Sequence, residues 1–140
     1  MPAIGETDLD KLLTSLRPRL AEPEYVFASV PATTTLPAGL RPLMQFEELE
    51  GTTLILLEAE ATAAGIKASF PCRMITLDVH SSLEAVGLVA AVATRLAAAG
   101  ISVNPVSAFH HDHLFVPQDK AEQALQLLND MAAAATSATV

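Results

Sequence analysis

The stretch from Arg73 to Gly100 does most to limit what this chain can fold into. Residues Arg73-Met74-Ile75-Thr76-Leu77-Asp78-Val79 alternate well enough for a half-buried strand. Ser81-x-x-Glu84 then reads as a capping box, which satisfies the first free N–H groups of a helix. That helix is expected to run to about Ala99, with Val86, Val89, Val92, Ala93 and Leu96 on one face and Gly100 as its stop. Two further strands follow, Ile101 to Phe109 and His113 to Val116. Asp119-x-x-Glu122 opens a last helix, with Ala121, Leu125, Leu128 and Met131 facing inward. Residues 132–140 are small and featureless, and 134–140 read as a flexible tail. The order β-α-β-β-α predicts an α+β unit, an antiparallel sheet with two helices on one face. Its sheet lacks a fourth strand, which the first half must supply.

Leu9, Leu12, Leu13, Leu16 and Leu20 fall at helical spacing after Thr7, a plausible N-cap, and Pro18 and Pro23 close that helix. Tyr25 to Val30 reads as a buried strand and is the best candidate for the missing one. Residues 31–42 are rich in Thr, Pro and Gly and read as a loop. Leu43 to Glu47 and Thr53 to Leu57 form a hairpin around Glu50-Gly51. Glu58 to Ala64 makes a short helix, stopped by Gly65. The chain thus divides into 1–71 and 72–133.

Eight basic against sixteen acidic residues give a formal charge of −8, which disfavours a nucleic acid or an anionic membrane as partner. No apolar run approaches the roughly 20 residues of a membrane span, and the N-terminus does not read as a signal peptide. A single cysteine, Cys72, allows no intrachain disulfide and fits the reducing cytoplasm. With 51% hydrophobic but only 4% aromatic residues, the core must be aliphatic.

Catalytic signals are thin. Cys72 at the start of an apolar strand reads as an inert small hydrophobe. Ser81, Ser82 and Ser107 lack a nucleophile-elbow context, and no Gly-rich phosphate loop occurs. His110, His111 and His113 are the densest polar cluster; a metal would need a third ligand such as His80, and a polar turn is the simpler reading. Neither an enzyme nor a cofactor is expected.

Gly87 to Val92, Leu96 to Val103, and Ser107-Ala108-Phe109 followed by Asp112 to Pro117 resemble an ACT domain, of the variety found in arginine sensors and in short bacterial proteins. Glu24 to Pro31 and Phe46 to Leu54 resemble the first half of those bacterial proteins. The resemblance implies two ferredoxin-like βαββαβ ACT units, with a shared strand as an option, and an amino-acid-sized ligand at an interface between units. In that family the ligand meets the turn after the first strand and the start of the second strand. Here those positions include His80, Ser81, Ser82, Val86, Gly87 and Leu88, then Val103, Asn104 and Pro105, with Asp112 as the matching acid. Ala108-Phe109 replace the family's usual Thr-Tyr, and His110-His111 its acidic or polar residues.

Such positions suit a zwitterion. A helix N-terminus offers N–H groups to a carboxylate, and Asp112, with Asn104 as a neutral acceptor, offers oxygen to an ammonium. The plainer alternative is that Ser81 caps its helix, Gly87 permits close packing and Asp112 sits in a solvated turn. The expected function is a non-catalytic regulatory module for a free amino acid or similar small zwitterion, acting as a homodimer or on a separate protein. A structural module with a decayed site is the alternative, and a metal-binding protein using His110, His111 and His113 comes after it.

Overall fold

The computed structural model describes residues 7–138. Its elements are α1 (Leu9–Thr14), β1 (Pro18–Val30), β2 (Met44–Glu48), β3 (Gly51–Leu57), α2 (Glu58–Ala63), β4 (Ser69–Leu77), α3 (Leu88–Ala98), β5 (Asn104–Ser107), β6 (Asp112–Pro117) and α4 (Ala121–Ala138), the last entered through a 3₁₀ turn over Gln118–Lys120. They form two compact units, one of residues 22–72 and one of the residues before 22 together with those from 73 onward. The first holds the paired strands β2-β3-β1 and the second the pair β6-β5, and by their residue ranges β1 and β4 each have residues in both.

The 22–72 unit is built on a hairpin. β2 pairs antiparallel with β3, Phe46 opposite Thr53, and β3 pairs antiparallel with β1, Ile55 opposite Phe27. Val26, Ala28, Leu54, Leu56 and Ala61 form its core, and Leu36 and Leu40 of the long loop pack against them. At the hairpin, Gly51 has φ +149°, and a Cβ there would lie 2.7 Å from the Val30 carbonyl oxygen. No other residue fits.

In the other unit, α1, α3 and α4 pack together. Leu12 and Leu16 share one aliphatic core with Ile75, Leu77, Leu88, Val92, Leu96, Leu114 and Leu128. Helix α3 ends in a Schellman motif: Gly100 has φ +74°, Ile101 N–H donates to Leu96 O at 3.0 Å, and Gly100 N–H donates to Ala97 O at 2.9 Å. Leu96 and the buried Ile101 supply the apolar pair that accompanies this stop.

Several sequence expectations need correction. Helix α1 ends at Thr14, capped by Asp8 rather than Thr7, and Leu20 lies in β1. Pro18 opens the strand instead of merely closing the helix, because a strand's first residue tolerates a missing N–H. Ser81-x-x-Glu84 is not a capping box: α3 begins at Leu88, and the Ser82 hydroxyl accepts from Glu84 N–H within a turn. The strand expected from Ile101 shortens to Asn104–Ser107, since the Schellman turn uses Ile101. Finally, α4 continues to Ala138, so the alanine-rich end is helical through that residue. On α4, Ala124 rather than Leu125 lies fully inside, with Ala121 and Leu128.

Candidate functional site

Between β4 and α3 the chain makes tight local turns, with Val79 N–H donating to Leu77 O and Ser81 N–H to Val79 O. These tuck two hydroxyl side chains inside: Ser81 and Ser82 are buried although polar. Gly87 then turns the chain with φ +103°, where a Cβ would meet Leu9 at 3.2 Å. Only a glycine adopts that conformation cheaply, and it sets where α3 starts. No side chain caps the helix there, and Ala91 N–H is bonded to Gly87 O. The N–H groups of Leu88, Val89 and Ala90 therefore open the helix without an intrahelical acceptor, at the positive end of the macrodipole.

Across from them stands β6. Its first residue, Asp112, is 8% exposed, unusually enclosed for a carboxylate. The Ser81 hydroxyl donates to Asp112 Oδ2 at 3.4 Å, longer than an ordinary O–H···O bond and so readily exchanged for a better donor. Antiparallel pairing puts Ser107 opposite Asp112, and Ala108 N–H donates to His111 O, closing the β5–β6 turn.

A cavity of about 120 Å³ lies between these parts. Ser81, Ser82, Gly87 and Leu88 line it with Asp112, joined by Leu83, Ala85, Val89, Ala90, Ser107 and Ala108. His80, Val86, Val103, Asn104 and Pro105 do not line it. His80 and Val86 point outward, Val86 being 82% exposed just before the Gly87 reversal. Val103 packs on the core instead. Asn104 pairs with Phe115 and Pro105 with Leu114, which places them about 7–10 Å along the strand from Asp112. Only the far end of β5 reaches the cavity. Ser107 was legible as a polar residue beside the turn, but the small apolar lining residues carry no sequence signal of their own.

The histidines gather beside this turn. Ring centroids lie 5.6 Å apart for His80 and His110, 6.5 Å for His110 and His111, and 6.3 Å for His111 and His113. His111 Nε2 approaches Asp78 Oδ1 at 3.4 Å, and Arg19 Nε pairs with the other Asp78 oxygen at 3.1 Å. The Thr76 hydroxyl and His113 Nδ1 are 2.9 Å apart. Burial, then the neighbouring His111, hold His113 below the usual histidine range, although Asp112 pulls the other way. Among the described residues no group of three or more His, Cys, Asp or Glu is arranged to hold a metal ion. Nor is any described helix long and apolar enough to cross a membrane.

Comparison with known proteins gives the architecture a family. The ACT domain pattern matches twice, over residues 4–73 and residues 69–130. A Vibrio cholerae protein of unknown function superposes with a TM-score of 0.80 at 46% identity, covering 89% of this chain and 95% of that one. The ligand-free regulatory subunit of aspartate kinase from Thermus thermophilus shares the fold, with a TM-score of 0.60 at 10% identity over 84% of this chain and 96% of its own. The mouse cytosolic arginine sensor for mTORC1 subunit 1 is 26% identical over 91% of this chain, which spans only 38% of that protein's length. The chain belongs to the ACT domain family and carries two ACT domains in tandem.

Proposed function

We propose that this chain is a non-catalytic regulatory module that binds a free amino acid in the cavity between α3 and Asp112. One observation carries the reading: an enclosed carboxylate faces the uncapped start of an eleven-residue helix across a cavity of about 120 Å³. The ligand carboxylate sits on the N–H groups of Leu88 to Ala90, where the helix dipole favours negative charge. Its ammonium displaces the long Ser81 contact and binds Asp112, with the Ser107 hydroxyl at the side. A 150 Å³ cavity holds a benzene molecule, so this smaller space selects a short side chain, of the size of alanine or serine.

Two similarities support the regulatory part. A relative is an arginine sensor, and a protein of the same fold is the regulatory subunit of an enzyme. Binding then shifts the balance between arrangements of the chain, and the output passes to a second copy or a separate protein. The reading includes a cytoplasmic homodimer, in which an outer sheet edge supplies the unpaired strand groups for self-association.

A thermal-shift screen against the twenty amino acids tests the proposal. A ligand at a hundredfold excess over its Kd stabilises by about 2.7 kcal/mol. Asp112→Asn should weaken the active amino acid by roughly 10- to 100-fold, the worth of a charged hydrogen bond of about 1.5–3 kcal/mol. A flat screen, or an Asp112→Asn variant that responds like wild type, overturns it.

A further inference from the structure

All four histidines of the chain, His80, His110, His111 and His113, gather beside the Asp112 cavity, and none of them lines it. Successive rings lie 5.6–6.5 Å apart, close enough for a positive charge on one to oppose a charge on the next. His111 and His113 flank Asp112 along the chain. Their rings share one face of the strand, and the carboxylate turns to the cavity on the other.

The groups around them carry both signs. Asp78, just past β4, meets His111 Nε2 at 3.4 Å and Arg19 of β1 at 3.1 Å. Thr76 of β4 meets His113 Nδ1 at 2.9 Å, and Val106 of β5 lies opposite His113 in the strand pairing. Neither of these two is titratable, so Asp78, Asp112, Arg19 and the other histidines set the local field.

Two links join the cluster to the cavity. One is Coulombic: Asp112 is the immediate neighbour of both imidazoles, and its carboxylate favours a charged His113. The other is mechanical: Ala108 N–H donates to His111 O at 3.0 Å, which holds the turn that brings Ser107 and Ala108 into the cavity wall.

We propose that this histidine cluster is a proton-operated control on the Asp112 cavity, which holds an amino acid when the rings are neutral and releases it when they are charged. The proposal rests on amino-acid binding at Asp112 and adds its regulation. Its sign follows from the charges. An imidazolium on either side of Asp112 competes with the ammonium of the amino acid for one carboxylate. Charged rings also repel one another and Arg19, which loads the β5–β6 turn that closes the wall. Burial and His111 keep His113 below the usual 6.5, so the cavity is in its binding state at neutral pH.

The test follows the histidine Cε1–H and backbone amide signals of the ligand-free full chain by NMR from pH 8 to 5. Amides of Leu88 to Ala90, Ser107 and Ala108 should move with the inflection of the His113 ring, and His113→Gln should remove that movement. Asp78→Asn, which deletes a counter-charge, should carry the inflection to lower pH. Affinity for L-alanine or L-serine should fall about fivefold or more between pH 7.5 and 5.5, the low end of coupling between linked sites. Replacing both His111→Gln and His113→Gln should flatten that profile while keeping the affinity at pH 7.5. Cavity amides that ignore the His113 inflection, a flat affinity profile in the wild type, or a slope that survives in the double variant overturn it. No response to any amino acid at pH 7.5 sinks the Asp112 reading instead, and the ligand-free titration still decides the coupling.

Discussion

Cys72 is the one thiol of the chain, and its surroundings decide its chemistry. Burial pushes it up to about 11, and its Sγ donates to the Tyr25 carbonyl at 3.4 Å. A thiol that stays protonated at neutral pH is a poor nucleophile. In the native protein at pH 8, Cys72 should therefore resist a thiol reagent for as long as the chain stays folded, and react at once in denaturant. His113 works in the opposite sense on stability. Its folded value lies below the usual 6.5, so the unfolded chain takes up a proton first as pH falls. Stability should decline as pH drops below about 6.5 and level off once the folded form is also protonated. Denaturant melts from pH 7.5 to 4.5 would show this slope, and His113→Gln should flatten it. At Gly87 the positive φ and the Leu9 contact both oppose a side chain, so Gly87→Ala should cost about 1–3 kcal/mol and weaken ligand binding.

At the scale of elements, α3 is defined by glycines at both ends. Gly100→Ala removes the residue suited to the left-handed stop while leaving open space around it, so the cost should be smaller, about 1 kcal/mol. A modest fall in melting temperature without loss of ligand binding is the expected result. The C-terminal stop of this helix was legible, because a glycine after a periodic apolar run has few other meanings. Its start was not. Ser81-x-x-Glu84 has the composition of a capping box, but the same hydroxyl bonds serve equally well in a turn, and the sequence window does not distinguish them. The strands held their identity but not their limits: Pro23 and Pro71 lie inside observed strands, where propensity alone would end them.

For the whole molecule, the unexpected member of the second core is the first helix. Leu12 and Leu16 are buried with Leu77, Leu96 and Leu128, residues more than sixty positions away. Leu12→Ala should cost about 2–5 kcal/mol. A fragment beginning at residue 69 should lack part of its core and bind a hydrophobic dye, whereas adding residues 1–21 in trans should reduce that signal. The two ACT matches cover residues 4–73 and 69–130, while the compact units group residues before 22 with those from 73 onward.

By itself, the sequence determined the class of structure: aliphatic periodicity and turn residues specify which segments become strands and helices, and in the second half they specify their order as well. Those signals are local, carried by neighbours in the chain. Only the tertiary structure decided that α1 completes the distant core, that Ser107 and Ala108 rather than Asn104 and Pro105 reach Asp112, and that Glu60 has an enclosed oxygen without a hydrogen-bond partner among the described residues. Each of these depends on pairing register or on packing between residues far apart in sequence, and no local pattern encodes such a distance.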